Sequence, residues 1–221
     1  MIRRNVGPRL ERDHDVVVGY PAERIAGPWI SLGSDARLRS GTVLYAGTSI
    51  GDRLQTGHHV IIREECAIGD DVAIWSNTVV DYGCRIGDNV KIHCNCYIAQ
   101  YTEINANAFL APGVTVANDL YPGQADSADA MSGPWIGPGA QIGVNVTLLP
   151  YVRIGAGCLV GAGSVVTRDL PAGTVAYGNP AAVRGDVADL RDITTRVDRT
   201  DSASRFRLAV TSQLKEDAGR P

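Results

Sequence analysis

Long apolar runs are absent from this sequence of 221 residues. No stretch of about 18 apolar residues occurs, which excludes a membrane-spanning helix, and residues 1–12 lack the apolar core of a secretory signal. The net charge is only −3 and no basic stripe is present, which argues against nucleic acid binding. These absences predict a soluble, cytoplasmic protein that binds neither a membrane nor nucleic acid.

Aromatic residues and cysteines are also scarce, at 6% of the chain and five residues respectively. No CxxC pair occurs, so neither a disulfide framework nor a structural zinc site is expected. Cys66 and Cys84 stand at repeat positions that Thr or Val fills elsewhere, which predicts small buried core residues. Cys94 and Cys96 are expected to point to opposite sides of one strand.

An aliphatic residue returns at every sixth position through much of the chain. Between Leu32 and Val116 this series is broken only at Thr56. Four places after each member comes a small or β-branched residue, with Leu54 the one large exception. A strict period of six fits neither a 3.6-residue helix nor a free-running strand. It predicts hexapeptide units, each a short strand and a turn, stacked as an all-β parallel β-helix.

The series resumes at Ile136 and runs to Val166. The step from Val116 to Ile136 is 20 residues, two more than three hexads, so an inserted loop is predicted at 118–133. We therefore predict an N-terminal extension at 1–29 and a β-helix domain at 30–185. The tail at 186–221 has seven acidic and seven basic residues, and we expect a short extension, either a solvated helix or partly disordered.

Three hexads make one coil, so residues 18 apart stack directly, about 4.8 Å from one another. One corner repeats Gly-Asp turns and is predicted to be structural. A second corner collects three of the four histidines with polar neighbours: His58, His59, Trp75, Asn77, His93 and Asn95. A third corner collects Arg63, Glu64, Asp81, Tyr82, Gln100, Asn118 and Asp119, at the base of the loop.

Histidine is the side chain best suited to pass a proton near neutral pH, so the second corner is the candidate catalytic edge. His93 is the first candidate. His58 and His59 are alternatives, each of which either acts in catalysis or only bonds a turn. Trp75 is either a substrate platform or a subunit contact. Glu64 is either a substrate contact or a solvated edge residue.

Several motifs within these repeats resemble the hexapeptide-repeat acyltransferases, and most closely the branch that acetylates the amine of nucleotide-linked amino sugars. They are GHHVIIREE at 57–65, KIHCNCY at 91–97, ANDLYP at 117–122, GAGSVV at 161–166 and GNPAA at 178–182. The resemblance implies a left-handed β-helix, a homotrimer with active sites between neighbouring subunits, and acetyl-CoA as acyl donor.

The resemblance also implies binding sites for both substrates. Acetyl-CoA would lie along the C-terminal coils. Main-chain groups in the turns of the late repeats would hold its pantetheine arm, and residues after the last repeat would lie near its adenine and 3′-phosphate: Gly143, Gly161 and Ala162, then Asn179, Pro180 and Arg184. The candidate contacts to the acceptor, a small molecule, are Trp75, Asn77, Glu64, Tyr82, Asn118, Asp119 and Tyr121.

The chain departs from the branch pattern at two positions. Gly123 stands where its members carry Arg, which removes one expected phosphate contact. His93 stands where many members carry Gln, whereas a polar residue at Asn95, near the reacting amine, fits the pattern.

We thus expect an acyltransferase that acetylates the amine of a nucleotide-linked amino sugar, without a metal. Asn95 would orient the amine, and a turn N–H of Gly113 or Gly143 would face the oxyanion. Transfer to a hydroxyl is the alternative, in which a histidine base becomes essential. A non-catalytic scaffold and a γ-type carbonic anhydrase share the fold. The anhydrase needs two histidines five apart on one coil, which this chain lacks.

Overall fold

The computed structural model describes residues 3–24 and 29–190. Within them, 26 short strands form three sheets, and two short 3₁₀ helices lie at Ser127–Ala130 and Val187–Asp189. Most strands occupy the three sheets in rotation, so each pairs in parallel with the one three places later. The last two strands instead form an antiparallel hairpin at the end of one sheet. This arrangement is the predicted parallel β-helix, and it contains no α-helix within the described residues.

The first sheet contains β1 (Arg3–Val6), β4 (Trp29–Leu32), β7 (Ser49–Ile50), β10 (Ala67–Ile68), β13 (Arg85–Ile86), β16 (Glu103–Ile104), β19 (Trp135–Ile136) and β22 (Arg153–Ile154). The second sheet contains β2 (Glu11–Arg12), β5 (Arg37–Leu38), β8 (Gln55–Thr56), β11 (Ala73–Ile74), β14 (Lys91–Ile92), β17 (Phe109–Leu110), β20 (Gln141–Ile142), β23 (Leu159–Val160), β25 (Thr174–Gly178) and β26 (Ala181–Asp186). The third sheet contains β3 (Val17–Tyr20), β6 (Val43–Tyr45), β9 (Ile61–Ile62), β12 (Val79–Val80), β15 (Tyr97–Ile98), β18 (Thr115–Val116), β21 (Thr147–Leu148) and β24 (Val165–Val166).

The second residue of nearly every two-residue strand points into the prism. These are the aliphatic residues of the six-residue series, and they stack in columns because the register pairs each with the residue one coil away. Thr56 fits this apolar core because its hydroxyl lies 2.9 Å from that of Thr42, and Thr42 also bonds the carbonyl of Gly57. The one exception in the series is therefore satisfied internally.

The predicted burial of Cys66 and Cys84 is confirmed. Cys96 is also buried, whereas Cys94 is half-buried and lies in the turn before it, not on a strand as predicted. The thiol of Cys84 lies 3.2 Å from the carbonyl oxygen of Ala99. Its neighbour Cys66, followed by burial, raises the pKa of the Cys84 thiol, which favours the unreactive protonated form.

The Gly-Asp corner is held by main-chain bonds, as its turn chemistry predicted. Asp52 accepts the N–H of Ser34 at 2.6 Å, and Asp70 accepts the N–H of Asp52 at 2.8 Å. Asp88 repeats the contact on the N–H of Asp70. Each carboxylate thus links its own coil to the previous one.

The N-terminal boundary differs from the prediction. Residues 3–20 are part of the predicted extension at 1–29, yet β1, β2 and β3 form a first coil that pairs with β4, β5 and β6. The register pairs Val6 with Leu32, a step of 26 residues rather than 18, because an insertion separates β3 from β4. Arg12 also occupies a position that is aliphatic elsewhere, so the periodic signal is lost there. The chain at 191–221, which includes most of the predicted tail, lies outside the described residues.

Candidate active site

Three aromatic rings meet on the outer face of the second sheet. The ring centroids of His93 and Phe109 are 4.9 Å apart, and those of His93 and Trp75 are 6.3 Å apart. Together with Lys91 and Gln55 they line an open groove of about 830 Å³, called here the aromatic groove. His93 is thus half-buried beside a space large enough for a small substrate.

His58 and His59 do not line the aromatic groove. His58 Nδ1 lies 2.7 Å from the hydroxyl of Ser40, and its main-chain N–H donates to the hydroxyl of Ser76 at 3.0 Å. His59 is exposed and has a left-handed backbone with φ of 55°, and a Cβ built on Gly41 would meet its ring. Both residues therefore have a place in the turns that needs no catalytic role.

Asn77 and Asn95 occupy the same turn position on successive coils. Both are exposed, with φ of 60° and 59°. Asn adopts this left-handed conformation more readily than most residues. Turn geometry alone accounts for asparagine at these two positions, and the amide of Asn95 faces solvent.

The glycines expected to hold acetyl-CoA lie at the same corner, on later coils. A Cβ on Gly143 would come within 2.6 Å of the nitrogen of Ala162, so the turns stack too closely for a side chain there. The N–H of Gly143 donates to Val160 and that of Gly161 to Ala176, both at 2.8 Å. The N–H of Ala162 donates to no acceptor among the described residues and is free for a ligand.

These bonds limit which N–H groups can stabilise an oxyanion. The N–H of Gly113 donates to the carbonyl of Cys94 at 3.0 Å, and the N–H of Gly143 donates to the carbonyl of Val160 at 2.8 Å. Neither expected donor is free in this chain. Periodicity gave their position correctly but could not show that the ladder between coils uses them.

The last candidate cofactor residues lie on a β-hairpin. Asn179 and Pro180 form the turn between β25 and β26, and Arg184 lies on β26. The Arg184 guanidinium lies 5.6 Å from the ring centroid of Tyr177, whose Cβ faces Gly161. Tyr177 thus lies between the turn of Gly161 and the side chain of Arg184, which is on the strand and not at the corner.

The third corner has a different chemistry, dominated by buried charge. Glu64 is only 1% exposed and receives two hydrogen bonds from the guanidinium of Arg63, at 2.9 and 3.0 Å. Burial acts to raise the pKa of Glu64, but the Arg63 hydrogen bond and charge outweigh it, so the pKa is lowered. Glu64 is thus an ionised, paired carboxylate rather than a solvated edge residue.

Asp81 lies one coil further along this corner and is also buried, at 7% exposed. Its carboxylate accepts the amide of Gln100 at 2.7 Å, the hydroxyl of Tyr97 at 2.9 Å and the N–H of Tyr82 at 2.8 Å. Gln100 in turn accepts the side-chain amide of Asn118 at 2.7 Å. Burial and then the Asp81 hydrogen bond raise the pKa of the Tyr97 phenol to about 12.

Tyr82 contributes a ring rather than its hydroxyl. The Arg24 guanidinium lies 3.9 Å from the ring centroid, and Tyr101 meets the ring edge-on at 5.5 Å. Burial raises the pKa of the Tyr82 phenol, which therefore stays protonated at neutral pH. This cation–π stack covers the ion pair of Arg63 and Glu64.

The inserted loop leaves this corner at Asn118. Its ends are joined by a bond of 2.9 Å from the N–H of Ser132 to the carbonyl of Asn118. Asp119 accepts the N–H of Tyr121, whose side chain is 65% exposed. The loop encloses a cavity of about 310 Å³ against Tyr151, whose hydroxyl donates to the carbonyl of Ala130.

The structure separates the predicted site residues into two groups. One group lies where the second sheet turns into the third, named here the His corner: His58, His59, Trp75, Asn77, His93, Asn95, Gly143, Gly161 and Ala162. The hairpin with Asn179, Pro180 and Arg184 ends the second sheet beside it. Glu64, Tyr82, Asn118, Asp119 and Tyr121 lie where the third sheet turns into the first, named here the loop corner. The third sheet separates the two corners. On one coil, the four residue steps from Asn95 at the His corner to Ala99 at the loop corner span about 13 Å, at about 3.3 Å each.

Two residues of the loop corner were not among the predicted site residues. Asp81 and Gln100 fall in the right column by their spacing, but only the hydrogen-bond pattern shows that they hold Asn118. No group of three or more His, Cys, Asp or Glu side chains is arranged to hold a metal in the part of the chain that the structure describes. In the same part, no helix is long and apolar enough to cross a membrane.

Comparison with known families identifies the repeats. The model of the bacterial transferase hexapeptide repeat matches residues 83–118 and 133–168, and that of the succinyl-transferase hexapeptide repeat matches residues 60–100. The matches stop and resume at the inserted loop. Residues 60–118 and 133–168 are therefore hexapeptide repeats of the kind found in bacterial transferases.

Curated acetyltransferases match parts of the chain. Serine acetyltransferase 2 of Arabidopsis thaliana is 38% identical over 78 residues, which are 35% of this chain and 24% of the relative. Galactoside O-acetyltransferase of Lactococcus lactis subsp. lactis is 32% identical over 90 residues, 39% and 44% of the two chains. dTDP-3-amino-3,6-dideoxy-alpha-D-galactopyranose 3-N-acetyltransferase of Aneurinibacillus thermoaerophilus is 53% identical over 49 residues, 22% and 26%. The chain thus spans less than half the length of these relatives.

Among solved structures, the polySia specific acetyltransferase NeuO aligns over 95% of this chain and 98% of its own, with a TM-score of 0.56. The identity is 17%, so this likeness concerns the fold alone. The fold is the left-handed parallel β-helix that the family resemblance implied.

Proposed function

We propose that this protein is an acetyl-CoA-dependent acyltransferase that acetylates the amine of an amino sugar carried on a nucleotide. The observation that carries the proposal is the composition of the His corner. The aromatic groove with His93 lies on the same corner as Gly143, Gly161 and Ala162, three of the cofactor candidates. The turns of His93 and Gly143 are two coils apart, about 10 Å.

The reaction needs few groups from the protein. The amine nitrogen attacks the thioester carbonyl, the carbon–sulfur bond breaks, and the CoA sulfur leaves as a thiolate that takes up a proton. His93 accepts the proton that the amine loses, and Asn95 orients the amine. The free N–H of Ala162 and the Arg184 side chain bind the donor, whose anionic phosphates favour a guanidinium. Alignment of the two substrates supplies much of the acceleration.

The acceptor is assigned to the loop corner of a neighbouring subunit. His93 and Asn118 belong to different corners of one chain, so a site that uses both requires two copies. We propose a homotrimer in which the His corner of one subunit faces the loop corner of the next. The apolar outer face of the third sheet, which lies between the two corners, supports this arrangement.

Transfer to a sugar hydroxyl is the second candidate. Two observations favour it: a histidine ring lines the aromatic groove, and the loop has Gly123 where the amino-sugar branch carries Arg. A hydroxyl requires a general base, which His93 would supply.

The test is a transfer assay with purified protein, acetyl-CoA and matched acceptors. Each nucleotide amino sugar is paired with its hydroxyl analogue, and released CoA thiol is measured. Turnover of the amine member only is the expected result, and turnover of both or of the hydroxyl member supports the second candidate. Calorimetry that shows no binding of acetyl-CoA would contradict both and leave a scaffold role.

A further inference from the structure

The loop corner contains a chain of side-chain hydrogen bonds with a fixed direction. It begins at Asp81, passes through Gln100 and ends at Asn118, the first residue of the inserted loop. An ionised carboxylate has lone pairs but no hydrogen to donate. Asp81 is surrounded by donors, with the guanidinium of Arg63 at 3.4 Å and the hydroxyl of Tyr97 at 2.9 Å. The direction of the chain is therefore set at this carboxylate.

The amide of Gln100 has one donor end and one acceptor end. Because Asp81 accepts only, the NH₂ group of Gln100 must face it, and the carbonyl oxygen must face Asn118. That oxygen in turn requires the NH₂ group of Asn118. The carbonyl oxygen of Asn118 then points away from Gln100, and it accepts no hydrogen bond from any residue that the structure describes.

We propose that Asp81 and Gln100 are positioning residues that fix Asn118 as a hydrogen-bond acceptor for the acyl acceptor substrate. The substrate group that Asn118 recognises is consequently a donor, an amine, ammonium or hydroxyl, rather than a carbonyl or ether oxygen. This inference rests on the proposed function, because it assigns a role at the same site. Neither residue touches the reacting atoms.

Asp81→Asn tests the direction of the chain. In this variant an NH₂ group replaces the carboxylate oxygen that accepts the hydrogen bond from Gln100. The Gln100 amide would rotate by half a turn to present its carbonyl oxygen to that group, and the Asn118 amide would rotate in the same way. Asn118 would then present its NH₂ group to a substrate donor. We expect the KM for the acceptor to rise about tenfold, the effect of one lost hydrogen bond of about 1.4 kcal/mol, with the KM for acetyl-CoA unchanged.

A double variant separates direction from mere structure. In Asp81→Asn with Gln100→Glu, the new carboxylate accepts from Asn at position 81 and from Asn118, which restores the original orientation of Asn118. We expect the acceptor KM to return to within about twofold of the wild-type value. Tyr97→Phe is the matched control, because it removes the other donor to the same oxygen of Asp81 and leaves Gln100 in place. Its acceptor KM should not change.

A spectroscopic readout makes the inference independent of turnover. Protein labelled with ¹⁵N asparagine should show a shifted Asn118 side-chain amide in Asp81→Asn and a near-normal one in the double variant. If Asp81→Asn does not fold, Gln100→Met, which removes both bonds, should shift the same amide. An unchanged Asn118 amide, or a double variant as impaired as the single one, would overturn the inference. Wild-type protein with the expected amide signals but no acyl transfer would instead contradict the proposed function.

Discussion

Asn95 shows how backbone geometry and chemistry compete to explain one side chain. Its φ of 59° favours asparagine or glycine whatever the site does. Asn89, Asn107 and Asn145 occupy the corresponding turn position at this or the Gly-Asp corner with similar angles. The presence of asparagine at such a position is therefore weak evidence for catalysis, and a variant must separate its role in the turn from a role in the reaction.

Two substitutions at Asn95 do this. Asn95→Gly keeps the left-handed turn accessible and removes the amide, whereas Asn95→Ala also strains the turn by about 1 kcal/mol. If the amide orients the amine, Asn95→Gly should keep the melting temperature and lower kcat about tenfold. Thermal denaturation and CoA release measure the two effects. Full activity in Asn95→Gly, with only the alanine variant less stable, would reduce Asn95 to a turn residue.

His93 is the histidine whose ring lines the aromatic groove, so it is the one expected to act as base. His93→Ala should lower kcat by about 10²–10⁴-fold, with little change in the KM for acetyl-CoA or in assembly. His58→Ala is the matched control, because His58 already bonds Ser40. Loss of activity in His58→Ala or His59→Ala, but not in His93→Ala, would mean that another imidazole is the base. Activity in all three would mean that the amine arrives neutral.

Spacing of 18 residues predicted which residues share a corner, and the structure confirms those columns. It could not predict hydrogen-bond direction or ring packing. His93 contacts Phe109, which precedes the turn on the next coil, and this depends on side-chain rotamers. The engaged N–H groups of Gly113 and Gly143 likewise depend on the ladder between coils.

At the level of elements, period-based prediction works where the period is unbroken. The repeats from β4 to β18 and from β19 to β24 follow the predicted hexads, and the predicted loop lies between β18 and β19. The first coil was missed because an insertion shifts its register and Arg12 replaces an aliphatic residue. The β25–β26 hairpin follows no hexad either.

The inserted loop is expected to select the acceptor. The bond from the main-chain N–H of Ser132 to Asn118 shows that its ends lie close together, so a short Gly-Ser bridge can span the gap left by removing 120–132. This variant should keep the fold and bind acetyl-CoA normally by calorimetry, while acceptor turnover is abolished. Tyr151→Phe, which removes only the hydroxyl contact to the loop, is the milder control. Retained turnover with lost acetyl-CoA binding would assign the loop to the donor instead.

For the whole molecule, the three outer faces differ in chemistry. Val79 and Tyr97 lie on the third sheet, whereas Phe109 lies on the second sheet, in the aromatic groove. The outward residues of the third sheet are mostly apolar or β-branched: Val43, Ile61, Val79, Tyr97, Thr115, Thr147 and Val165. Of the three faces, this one is best suited to association.

Association through the third sheet predicts how activity depends on assembly. Val79→Asp places a charge in the middle of this face and should give single chains of 23.5 kDa by light scattering. Its circular dichroism should not change, because the outward side chain is absent from the core. Activity should be lost, since the His corner and loop corner would no longer meet. Ser49→Asp, an equivalent outward change on the first sheet, should leave both mass and activity intact. A wild-type protein that is a stable, active monomer would contradict the trimer and require both substrates to bind one chain.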